Sequence, residues 1–210
     1  MKGTLIVVSG PSGVGKTSII SALLNKLDKV VFSVSCTTRP PRPGEIDGVD
    51  YFFISKEKFM EMRDNGEFLE WAKVHGNLYG TPKEFVVENI KKGYRIILDI
   101  DVQGALQVKK NFDDAVFVFV APPSYEVLRE RLLKRGTENK QSMLKRLENA
   151  KWEMSQIDAF DYLIINNDLE KSIVAMKSIV IAESYKTRRI LDEKLRINLF
   201  KGVLKDETSY

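Results

Sequence analysis

The segment Gly10-Pro11-Ser12-Gly13-Val14-Gly15-Lys16-Thr17 places three glycines, a lysine and a hydroxyl at the spacing of a phosphate-holding loop. The glycines let backbone N–H groups turn inward around an anion with no Cβ in the way. A helix starting at the end of the loop adds its own positive field. Lys16 would reach the β- and γ-phosphates, and the Thr17 hydroxyl would ligate Mg²⁺. An apolar strand pattern precedes the loop and an amphipathic helix pattern follows it, which leaves little room for a chance glycine-rich turn. The loop implies an ATP or GTP user and says nothing about the second substrate.

Other residues could serve that substrate. Arg39 and Arg42 lie three apart in a proline-stiffened stretch, and each guanidinium can hold phosphate oxygens bidentately. On residue type alone, such arginines are more often solvated surface charges. Tyr51 and Tyr79 can add O–H donors, or can be packed tyrosines with satisfied hydroxyls. Glu70, beside Trp71, has two acceptor oxygens that could take a pair of donors. Taken by itself, a glutamate there is more often a surface acid at the end of an element. Asp99 and Asp101 end the apolar run that begins at Arg95, where a carboxylate must be paired or bound to metal. They alternate with Ile100 and so face one side, toward the ligand crevice expected at the C-terminal edge of a parallel strand. For Asp101, a helix N-cap before Val102–Lys110 remains an alternative.

The elements that must position these residues follow from the apolar pattern. Leu5–Val8, Tyr94–Ile100, Ala115–Ala121 and Tyr162–Ile165 are short continuous apolar runs, the pattern of strands buried on both faces. Between them, Ile19, Ile20, Leu23, Leu24 and Leu27 recur at helical spacing, and Pro82–Lys92, Val102–Lys110 and Ser124–Lys134 read as helices. Thr81 before Pro82 predicts an N-cap hydroxyl with proline at the first helical position. A last helix is predicted from Leu169 to about Leu191. The alternation predicts an α/β fold with a parallel sheet covered on both faces. Residues 36–54, rich in Pro, Gly and charge, cannot form a central strand. They and the polar residues 135–148 are read as excursions from the core.

Bulk composition narrows the class. The 210 residues are 43% apolar and 30% charged, enough for one compact domain with its own core. A net charge of +4 suits an anionic ligand but is too small and too dispersed to argue for nucleic acid. A single cysteine, Cys36, rules out an internal disulfide and fits a reducing compartment. No apolar run nears the roughly 18 residues of a membrane span. The expected location is the cytoplasm, with no membrane or nucleic-acid partner.

Several further motifs carry a resemblance. Ser33-Val34-Ser35-Cys36-Thr37-Thr38-Arg39-Pro40-Pro41-Arg42-Pro43-Gly44-Glu45, then Gly48-Val49-Asp50-Tyr51, closely resembles the guanylate kinase family. So do Phe68-Leu69-Glu70-Trp71-Ala72, Tyr79-Gly80-Thr81, Leu98–Gly104, Arg131, Arg135-Gly136-Thr137, Arg146 and Asn166-Asn167-Asp168-Leu169, in the family's order. The resemblance implies a three-layer P-loop NTPase fold with a GMP-binding insertion and a small helical lid. It divides the chain into core (1–34), GMP-binding region (35–84), core (85–129), lid (130–148), and core with C-terminal helix (149–210). It implies ATP and Mg²⁺ as cofactors and GMP as acceptor, with dGMP left open, in a monomer or small homo-oligomer.

Residue roles come with the resemblance. Gly10 to Thr17 would hold ATP, with Asn166 near the adenine; Thr17 and Asp99 would serve the metal. Arg39, Arg42, Tyr51 and Tyr79 would clamp the GMP phosphate, while Glu70, Ser35, Thr81 and Asp101 would read guanine. Lys16, Arg39, Arg131, Arg135 and Arg146 would neutralise charge during transfer, although i,i+4 pairing on a charged helix is the alternative for the lid arginines. Adenine would present an acceptor to Glu70 and strand a carboxylate, so discrimination of roughly 10⁴ or more is expected. Two other readings compete: a P-loop kinase for adenylate or a ribose phosphate, and a phosphopeptide-binding module that has lost catalysis. Glu70 with Ser35 and Asp101 argues against the former; intact Lys16 and Thr17 argue against the latter.

Overall fold

A computed structural model describes residues 2–74, 76–134, 140–191, 195, 198–199 and 201. Its centre is β1 (Thr4–Ser9), every residue of which is buried. The strand lies between β7 (Arg95–Asp99) and β8 (Ala115–Ala121), parallel to both. β2 (Val30–Phe32) flanks β7 and β9 (Tyr162–Ile165) flanks β8, giving a five-stranded, all-parallel sheet of order β2-β7-β1-β8-β9. The period-two alternation of β1 divides the core. Ile6 and Val8 face one side with α1 (Lys16–Leu24) and α7 (Leu169–Ser184), through Ile19, Leu23, Ile173 and Met176. Leu5 and Val7 face the other, with Val86 and Ile90 of α3 (Lys83–Lys91) and Ala105 and Val108 of α4 (Val102–Asn111). This is the three-layer α/β architecture expected from the sequence.

Four departures have local causes. β2 is only three residues long and half-buried at the sheet edge, too short to leave a sequence pattern. Within residues 36–54, β3 (Cys36–Thr37) and β4 (Phe52–Phe53) are strands, and β3 is interior to a second sheet of order β4-β3-β6-β5. The prolines that argued against a strand, at 40, 41 and 43, fall in the loop after it. β6 (Asn77–Pro82) runs on through Thr81, so α3 starts at Lys83 with no side-chain cap; the Thr81 hydroxyl is used elsewhere. α7 stops at Ser184 instead of near Leu191. The chain turns there into α8 (Thr187–Ile190), which buries Arg189 against Glu183 at 2.6 Å and Asp114 at 3.2 Å.

The second sheet is completed by β5 (Phe68–Val74), antiparallel to β6. It has its own small core of Cys36, Phe59, Phe68 and Leu78, in which Phe59 of α2 (Lys56–Asp64) stacks on Phe68 at 4.5 Å. Ser55 caps α2 through the Lys58 N–H. Gln107 of α4 joins this sheet to the main one, donating to the Trp71 carbonyl at 2.9 Å and accepting from the Trp71 N–H at 3.3 Å. After β8 come α5 (Tyr125–Lys134) and α6 (Lys140–Met154). Among the described residues, no helix is long and apolar enough to cross a membrane.

Candidate active site

The loop between β1 and α1 has the shape its glycines permit. Gly15 is the N-cap of α1 in the left-handed region, φ 96°, and no side chain caps the helix, which leaves its first N–H groups to a ligand. Gly10, at φ 138°, runs so close to β8 that a Cβ there would lie 2.1 Å from the Val120 carbonyl oxygen. Lys16 Nζ donates to the Gly10 carbonyl at 2.7 Å and lies 3.9 Å from Asp99 Oδ1 at the end of β7. Burial pushes the Asp99 carboxyl above its ordinary range, and the Lys16 charge partly offsets this.

Two predicted ligands support this loop from behind. Asn166 donates through Nδ2 to the Val14 carbonyl at 2.7 Å and accepts through Oδ1 from the Ser172 hydroxyl at 2.9 Å. Its Nδ2 would be only 2.5 Å from a Cβ on Gly15. Arg131 donates to the Asn166 carbonyl at 3.1 Å and reaches Val14 O at 3.5 Å. Both side chains thus hold the phosphate loop, and neither they nor Pro11 or Thr81 line the cavity in front of it. Arg135 lies outside the described residues. Arg146, on α6, does line the cavity.

That cavity, about 940 Å³, extends from the phosphate loop to the second sheet. Its far wall carries Ser35, Arg39, Arg42, Tyr51, Glu70 and Tyr79, and Asp99 and Asp101 lie in the strip between. Arg39 forms a two-pronged ion pair with Glu45, each N–O distance 2.9 Å, under the Tyr51 and Phe53 rings. Glu45 also accepts from the Arg42 N–H at 2.7 Å. The Arg39 bonds hold the Glu45 carboxyl below the usual carboxylate range, with the Arg42 N–H adding to the effect. Glu45 belongs to the motif but was given no role from sequence; its spacing from the two arginines was the available signal. Tyr51 and Tyr79 meet edge to face at 5.9 Å, and burial raises the Tyr51 phenol above its ordinary value.

Glu70 is 5% exposed, which makes it unusual for a carboxylate. Its Oε1 accepts from the Thr81 hydroxyl at 2.6 Å, and Thr81 in turn lies 3.4 Å from the Ser35 hydroxyl. This explains why Thr81 does not cap α3. Burial pushes the Glu70 carboxyl up to about 7, with the Asp101 charge adding to the rise and Thr81 opposing it. Asp101 does act as the N-cap of α4, accepting from the Gly104 N–H at 2.7 Å. It still faces the cavity, so the two readings of this residue are compatible. Gly104 is a residue whose function sequence reasoning missed: a Cβ there would lie 2.6 Å from Glu70 Oε2. α6 adds Lys145, Asn149, Trp152 and Glu153, also unforeseen.

Chemically, the arrangement is an anion cradle facing a second set of guanidinium and phenol donors, with a desolvated two-oxygen acceptor beyond. A family model described as guanylate kinase matches residues 2–183. The guanylate kinase of Thermotoga maritima is 57% identical over 95% of this chain and 96% of its own length. That of Caldanaerobacter subterraneus subsp. tengcongensis is 46% identical over 93% and 95%. The crystal structure of guanylate kinase from Anaplasma phagocytophilum superposes with a TM-score of 0.79 at 36% identity, covering 96% of each chain.

Proposed function

The chain belongs to the guanylate kinase family, and on that premise we propose that it transfers the γ-phosphoryl group of ATP to GMP, giving ADP and GDP. The observation that carries the acceptor assignment is Glu70. A carboxylate kept from water with one hydroxyl partner gains most from a ligand that presents two adjacent N–H donors, as guanine does.

The donor groups divide the work. Lys16 and the α1 N-terminus would hold the ATP phosphates. Arg39, Arg42, Tyr51 and Tyr79 would hold the acceptor phosphate. Glu45, itself a two-oxygen anion, holds both prongs of the Arg39 fork and so would fix the orientation of the guanidinium for the phosphate. The acceptor phosphate is already anionic at neutral pH, so no strong general base is needed. Arg146, with Arg135, would cover the transferred group as the 130–148 lid and the 35–84 region close and exclude water. Arg131 would act through the Val14 backbone it supports.

The residues suit Mg²⁺ bound mainly through substrate. Among the described residues, no group of three or more His, Cys, Asp or Glu could hold a metal ion alone. Mg²⁺ usually keeps several waters and takes phosphate oxygens with one or two protein ligands, here Thr17 and Asp99. Bound there, it would supply charge neutralisation on the β- and γ-phosphates. We assign the activity to purine nucleotide recycling in the cytoplasm. A coupled assay with ATP, Mg²⁺ and GMP, dGMP, AMP or a sugar phosphate tests the proposal. GMP should dominate; dominant turnover of AMP or a sugar phosphate would refute it.

A further inference from the structure

One residue on the α6 wall of the cavity has no task in this scheme. α6 turns Arg146, Asn149 and Glu153 into the cavity, residues whose spacing of three, four and seven places them on one helix face. Arg146 is accounted for by the transferred phosphate; Glu153, two turns further on, is not. Its side chain is partly buried, and no described residue gives its carboxylate a hydrogen bond or an ion pair.

The position of Glu153 along the cavity suggests its ligand. Its charge is attracted by Lys16 and opposed by Asp101. Asp101 also acts on Glu70, at the end where the base is read. Lys16 marks the opposite end, against Asp99 and the phosphate loop. A nucleoside monophosphate placed with its base on Glu70 and its phosphate toward Arg39 and Asp99 has its sugar between these poles. Partly buried and without a described partner, the Glu153 carboxylate offers hydroxyl donors a free acceptor.

We infer that Glu153 accepts hydrogen bonds from the sugar hydroxyls of the acceptor and so discriminates GMP from its 2′-deoxy analogue. The inference rests on the GMP kinase reading. It also links the sugar to the lid helix, because the helix that carries Glu153 carries Arg146 as well.

The test is kcat/KM for GMP and dGMP in the unaltered protein, Glu153→Ala and Glu153→Gln, with KM for ATP measured alongside. The unaltered protein should prefer GMP by roughly tenfold or more, the effect of one hydrogen bond to a charged group. In Glu153→Ala the GMP value should fall to near the dGMP value, which changes less than about twofold, while KM for ATP holds. Glu153→Gln keeps the volume and one acceptor and should recover part of the preference; it repeats the test if alanine loosens α6. Equal losses on GMP and dGMP, an unchanged ratio, or a shifted KM for ATP would overturn the inference and leave Glu153 a counter-charge for Lys16. An unaltered protein that phosphorylates neither acceptor would overturn the family reading instead.

Discussion

Glu70→Gln should make the ligand-free protein more stable while nearly abolishing its use of GMP. The Glu70 carboxyl is raised from 4.5 to about 7 in the folded protein because burial opposes its charge. The unfolded chain ionises it near 4.5. Between those values the unfolded state binds fewer protons than the folded one, so stability falls as pH rises. The cost is absent below about pH 4.5 and complete above about pH 7. At 1.36 kcal/mol per pKa unit it reaches about 3 kcal/mol. Glutamine keeps the shape and the acceptor for the Thr81 hydroxyl but carries no charge to desolvate. For a chain of this size 1 kcal/mol moves Tm by roughly 2–4 °C. The variant should therefore melt roughly 6–12 °C above the unaltered protein at pH 8.5, with the gap closing as pH approaches 5. Its amide also turns a donor toward the donors of guanine, so kcat/KM for GMP should fall by roughly 10³ or more. Melting followed by circular dichroism at both pH values, with a coupled GMP assay, checks the argument. A Tm difference independent of pH, or a less stable variant at pH 8.5, would refute the electrostatic reasoning; retained GMP turnover would refute the ligand role.

Two other substitutions separate the parts of the site. Lys16→Ala removes the ammonium that serves the β- and γ-phosphates and should lower kcat by at least about 10², with the circular dichroism spectrum and Tm nearly unchanged; near-normal turnover would sink the phosphoryl-transfer scheme. Gly104→Ala puts a methyl group 2.6 Å from Glu70 Oε2 on a helix that otherwise favours alanine. KM for GMP should rise about tenfold or more while KM for ATP and Tm hold, and a rise in both KM values would show that the helix, not the carboxylate, had moved.

The main sheet was legible because its strands are buried on both faces. β1, β7 and β8 are continuous apolar runs, and such runs need no partner to be recognised. The insertion sheet was less so. β3 and β4 are two residues each, held by pairing to segments far along the chain: Cys36 faces Gly80 and Phe52. The α3 boundary was misplaced for a related reason. Thr81 has the chemistry of a helix cap, but Glu70 on the neighbouring strand takes its hydroxyl. Around the candidate site, the motifs singled out Arg39, Arg42 and Glu70, but not Glu45, Gly104 or Glu153. What these three face in the fold is not revealed by residue type.

The phosphate loop is what the sequence determined by itself. Eight consecutive residues fix a local backbone whose N–H groups converge, and local backbone is a short-range property. Residue identities, through the resemblance, also pointed to Arg39 and Arg42 as the proposed acceptor-phosphate site. Tertiary structure decided what the carboxylates are worth. Glu70 is an exposed acid in most contexts; here burial beneath β6 and the start of α4 raises its affinity for protons, Asp101 adds to the rise, and the Thr81 hydroxyl opposes it. Asn166 and Arg131 likewise became supports of the loop because the Val14 carbonyl, more than a hundred residues earlier in the chain, lies within their reach. Desolvation and charge coupling act through space, between residues that only the folded chain brings together.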